Sequence, residues 1–198
     1  MDTKTNHYYK MLPTNYVSDY IIDGSVKKTR NLLMISFLVL WAITFVIAEA
    51  INRFNFAFEF EIVRTILTPI VFIVTYILMI ILHELIHGLF NKIFTHEKLT
   101  FGFNKGSAYC GIPDIYIKKW PKVIIAIAPF ITFLTVLITV LIFVKDPYYY
   151  MVISIFLGLH VGGCSGDLYE IAILVFKYYG KKVLVNDTGP KQEIFVGK

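Results

Sequence analysis

Residues 83–87 read His-Glu-Leu-Ile-His. On a helix, side chains four apart share a face, so His83 and His87 can reach one ion at ~2.0–2.1 Å. Glu84, offset by one position, is close enough to take a proton from a water at that ion without being a ligand. This is the zinc-hydrolase arrangement, and five histidines in 198 residues make its chance occurrence rare. Its setting adds weight. Ile80, Ile81 and Leu82 precede it, and Phe90, Ile93 and Phe94 continue the apolar character beyond it. A charge at such depth in a bilayer costs ~2.5–3.5 kcal/mol unless it is paired, so ionisable residues there are read as functional.

Zinc needs a third protein ligand and one open position. Phe90 and Ile93 stand where a Gly and a third His would extend the motif, and after Glu97 the next glutamate is Glu170. Depth sorts the remaining candidates. Counting from Lys92, His83 and His87 lie roughly 13 and 8 Å in by helix rise. Counting from Lys177, Asp167 lies roughly 15 Å in, in the same layer, and leads. Glu170 is the fallback ligand or a supporting carboxylate. His160 is deeper, but an unwinding of Gly162-Gly163-Cys164-Ser165-Gly166 would lower it. The expected site is Glu84 as general base, with His83, His87 and Asp167 on Zn²⁺ and His160 and Glu170 as secondary candidates.

The elements that must carry these residues are apolar. Hydrophobic residues make up 57% of the chain and charged ones 17%, far from a soluble domain and equally far from disorder or nucleic-acid binding. Runs without Asp, Glu, Lys or Arg cover 31–48, 65–82, 123–144 and 147–166. Each can cross a hydrocarbon core of ~30 Å. Sixteen of the nineteen lysines and arginines fall in the N-terminal arm, the 91–122 loop and the tail. The positive-inside rule therefore puts both termini in the cytoplasm, with anionic lipid as a secondary partner. Pro69 and Pro129, inside spans, bend a helix or free a carbonyl.

The predicted fold is an all-α membrane protein: a four-span transmembrane helix bundle with a short cytoplasmic β-hairpin between the second and third spans. The hairpin follows from alternation at Leu99, Phe101 and Phe103, a turn at Asn104-Lys105-Gly106, and alternation again at Ala108, Cys110 and Ile112. Residues 1–30 form a cytoplasmic arm, 31–177 the transmembrane domain (spans about 31–50, 63–90, 122–144 and 148–176), and 178–198 a cytoplasmic tail. Cys110 and Cys164 read as packing residues and His7 and His96 as solvated loop residues. Tyr148, Tyr149 and Tyr150 read as an interfacial belt, and Glu49, Glu59 and Glu61 as loop charges.

With His-Glu-Leu-Ile-His near the end of one span and Gly166-Asp167 in a glycine-rich later one, the chain resembles the site-2 protease-like intramembrane zinc metalloproteases. It resembles more closely the small four-span bacterial membrane proteins catalogued as putative zincin peptidases. The likeness covers roughly residues 60–176. It implies one zinc held below the cytoplasmic surface of a bacterial cell membrane. It also implies cleavage of a transmembrane or membrane-proximal protein substrate. Site-2 proteases carry Asn-Pro ahead of the ligand Asp and Gly after it, whereas here Gly166 precedes Asp167 and Leu168 follows. The oxyanion role of that Asn would pass to His160 or to a backbone N–H of 162–166. The alternative function is a non-enzymatic zinc-binding membrane protein that acts by binding a partner.

Overall fold

The computed structural model describes residues 7–55, 62–104 and 107–198, leaving out the side chains of 63–65. Glu59 and Glu61, and Lys105-Gly106 of the predicted turn, lie outside the described residues. Two units emerge along the chain. The first holds Met1–Leu33, His83–Pro129 and Gly166–Lys198, the second Met34–Leu82 and Phe130–Ser165.

The first unit corrects the all-α expectation, because it contains a six-stranded antiparallel sheet. The strands are β1 (Tyr8–Tyr9), β2 (Tyr16–Asp23), β3 (Thr100–Asn104), β4 (Ser107–Lys118), β5 (Val183–Asp187) and β6 (Lys191–Gly197). Their order is β1-β4-β5-β6-β2, with β3 paired to β4. The predicted hairpin region thus supplies two strands, and β4 runs on to Lys118 as the centre of a larger sheet. The others come from the arm and tail, which were read as polar extensions. The pairing of β2 with β6 joins residues more than 150 positions apart, as in Val17 opposite Val196. Local alternation cannot announce such partners.

Local chemistry sets the tail hairpin. Gly189, at φ 93°, takes the left-handed conformation the turn requires. Its N–H donates to Asp187 Oδ1 at 2.8 Å, and Thr188 Oγ1 donates to the Lys191 carbonyl at 2.9 Å. In β4 the ladder with β5 shifts register between Ile112 and Ile117. The Asn186 amide fills the gap by donating to the Pro113 and Ile115 carbonyls. Ile112, Ile115 and Ile117 pack with Ile125 and with Phe90, Phe94 and Leu99, so helix ends are seated on the sheet. A second cluster joins Ile22, Val183, Val185 and Ile194 to Leu174 and Tyr178.

The helices are α1 (Lys27–Ile51), α2 (Ile62–Thr95), α3 (Lys119–Phe143), α4 (Pro147–Gly163) and α5 (Ser165–Ala172), the last continued by a π-helical turn over Ile173–Lys177. α1, α2 (from Ile66) and α3 are long and apolar enough to cross a membrane, and α4 with α5 makes a fourth candidate only if the broken pair counts as one span. The predicted unwinding of 162–166 shrinks to a single residue, Cys164, between α4 and α5.

In the second unit, Asp146 caps α4 by accepting from the Tyr148 and Tyr149 N–H groups, and Pro147 opens the helix. Gly158 and Gly162, one turn apart, meet Trp41 and Phe37 of α1, also one turn apart. A Cβ on Gly158 would stand 2.9 Å from the Trp41 carbonyl oxygen, and one on Gly162 2.8 Å from that of Phe37. Only glycine permits that approach. Ala48, Leu141 and Leu157 centre the remaining packing. Elsewhere Ile35, Leu38, Ile43, Ile70 and Ile73 are exposed, an apolar surface more extensive than water-soluble units ordinarily present.

Candidate metal centre

All four residues of the expected site fall in the first unit. His83, Glu84 and His87 lie on the stretch of α2 that belongs to it, and Asp167 lies in the first turn of α5. His83 Nε2 and His87 Nε2 are 3.2 Å apart. Asp167 closes the triangle, with Oδ2 3.3 Å from His83 Nε2 and Oδ1 3.4 Å from His87 Nε2. Zinc bonds of ~2.0–2.1 Å at tetrahedral angles put neighbouring ligand atoms about 3.3 Å apart. The three edges match that figure, so the residues fit the ion.

The imidazole of His87 is oriented from behind. Its Nδ1–H donates to the Ile125 carbonyl on α3 at 3.0 Å, which leaves Nε2 as the atom carrying a lone pair. The carbonyl is available for a reason written in the sequence. In a regular helix the Ile125 oxygen would accept from residue 129, and residue 129 is proline, which has no N–H. Gly88, next to His87, lets the hairpin close in: a Cβ there would stand 2.9 Å from Phe101 Cζ. Among the described residues β3 pairs only with β4, so its other edge is open.

Glu84 is partly buried on α2. Glu170, fully buried, faces Lys122 Nζ at 3.3 Å. His160 lies in the second unit, where its ring faces the Phe130 carbonyl and Cys164 Sγ. Cys110 is buried, burial pushes its thiol up to about 12, and the Asn91 amide faces its sulfur. His96 is exposed just past the end of α2, in a left-handed conformation, and His7 packs edge-on against Phe94. Lys122, in the basic 91–122 loop of the sequence, and Asp187, in its tail, are both buried and paired with each other, which no local signal in the sequence shows.

A family described as putative zincin peptidase matches residues 76–181, more than half of the chain and the whole of this site. The chain belongs to that family. No curated protein and no solved structure matches it. Membership in the zincin family supports a metallopeptidase and implies zinc as the metal.

Proposed function

We propose that the chain is a membrane-embedded zinc metallopeptidase of the site-2 protease-like kind, hydrolysing peptide bonds within or beside the bilayer. The observation that carries this is the triangle of His83, His87 and Asp167, with edges of 3.2–3.4 Å, beside Glu84, the residue next to His83. His83, His87 and Asp167 would hold the ion. When bound, zinc supplies Lewis-acid polarisation of the scissile carbonyl and brings the attacking water toward a pKa of about 7. Glu84 accepts the proton of that water and returns it to the leaving amine. The Ile125 carbonyl keeps His87 in the ligating tautomer. The open edge of β3, beside Gly88, takes an extended substrate by strand addition, which exposes peptide bonds a helix would hide.

The exposed apolar flanks of α1, α2 and α3 favour lipid as their surroundings. β2 near one terminus pairs with β6 near the other, which supports a topology with both termini on one side, assigned to the cytoplasm from the lysine distribution. The substrate class follows: a transmembrane or membrane-proximal protein. The test is the metal content of detergent-purified protein, wild type beside His87→Ala and Asp167→Ala. About one zinc per chain, lost in both variants, is expected for a three-ligand site. Zinc retained in Asp167→Ala would remove that residue from the ligand set. Absence of metal from chelator-free wild type would leave a non-enzymatic protein as the better description.

A further inference from the structure

Three charged side chains the reaction does not use are buried together in the first unit. Lys122, on the first turn of α3, hydrogen-bonds Asp187 at the end of β5 and faces Glu170 of α5 at 3.3 Å. Their side-chain exposures are 5%, 5% and 0%. Among the described residues the Glu170 carboxylate has no hydrogen-bond partner, so the ammonium is what compensates it. Asp187 is itself fixed by the Gly189 N–H. Desolvating such ions costs several kcal/mol each, and apolar residues of similar size commonly serve stability as well or better. What an ion cluster adds is a fixed relation among the elements that carry it.

Those elements are the ones that build the metal centre. Ile125, whose carbonyl orients His87, lies one turn after Lys122 on α3. Asp167 lies one turn before Glu170 on α5. Residues three apart share a helix face, so each arm of the cluster is one turn from a contact of the site. Asp187 ties both to β5, beyond the 76–181 stretch that matches the family. We propose that Lys122, Glu170 and Asp187 are positioning residues that clamp Asp167 and the Ile125 carbonyl for the metal, and that the C-terminal hairpin β5–β6 is, through Asp187, a working part of the site. The proposal rests on reading His83, His87 and Asp167 as the zinc site.

The test measures the zinc dissociation constant of full-length protein in detergent by chelator competition. Wild type is set beside Lys122→Met, Asp187→Asn and Lys122→Arg, each first shown to be monodisperse and helical. Outer partners of a metal ligand are worth about 10–100-fold in affinity, and that loss is expected for Lys122→Met and Asp187→Asn, with Lys122→Arg within about threefold of wild type. Should Lys122→Met not fold, the combined Lys122→Met, Glu170→Gln, Asp187→Asn variant leaves no unpaired buried charge. It is expected to fold and still bind zinc more weakly. Wild-type affinity in a folded variant that lacks the clamp overturns the proposal and leaves the zinc site standing, as does an equal loss in Lys122→Arg and Lys122→Met. A wild type that binds no zinc overturns both.

Discussion

The two units use the same chain in opposite ways. In the second, contacts are mostly apolar and close, with Glu49 and His160 the buried ionisable exceptions, and the glycines of α4 set how near a neighbouring helix comes. In the first, ionisable side chains are buried and given specific partners, as in His87 with Ile125 and Lys122 with Asp187 and Glu170. The division cuts α2 at His83, so one continuous helix is apolar on one side and carries the candidate metal ligands on the other. The candidate site belongs to the part with the sheet. Holding three ligand atoms at tetrahedral spacing takes a rigid support, and hydrogen-bonded strands with seated helix ends supply it.

Changes in the two units should therefore separate activity from stability. The largest effect is expected from Glu84→Gln, which keeps shape and removes the base. Cleavage of a membrane-anchored test substrate should fall by about 10²–10⁴-fold while zinc content stays at the wild-type level. Activity surviving this change would break the comparison, because the first unit would then hold metal without performing the chemistry assigned to it.

Gly158→Ala probes the other side. The new methyl group would meet the Trp41 backbone, which cannot turn aside as a flexible side chain can. Overpacking of this kind costs about 1–3 kcal/mol, to be read as a lower thermal midpoint in detergent. Zinc affinity of the folded fraction should not move. A loss of affinity matching the loss of stability would mean that the units are not energetically separate.

The same division decides what could be read in advance. That His83 and His87 share a face was legible because helical spacing is a property of a single segment, and the expected layer shared with Asp167 agrees with their 3.3–3.4 Å approach. Pro129 was legible as a freed carbonyl, though not that His87 would claim it. Of the sheet, only the β3–β4 hairpin was legible. Val183–Asp187 and Lys191–Gly197 are short; they pair with each other across a local turn, and their place in the larger sheet depends on β4 and β2 from distant parts of the chain. For the same reason Lys122 looked like one more cytoplasmic cation. Its carboxylate partners lie 48 and 65 residues further on, joined to it only by the fold.

The smallest effect is expected from Pro129→Ala, and it sharpens the comparison because residue 129 is the last of the first unit on α3. Alanine restores an N–H that competes for the Ile125 carbonyl. That oxygen has two lone pairs, so the His87 bond is weakened rather than abolished. Zinc affinity should fall by less than the 10–100-fold typical of losing an outer partner outright, about three- to tenfold. In the zinc-loaded protein the His87 Nδ1–H proton resonance should move upfield as its hydrogen bond to the Ile125 carbonyl weakens. Helix stability should rise, since alanine is better than proline in a helix interior by about 3 kcal/mol. A variant that gains stability and loses metal would show that α3 trades helical regularity for the orientation of one ligand. Unchanged affinity with an unchanged Nδ1–H resonance would mean that the helix α2 alone fixes His87.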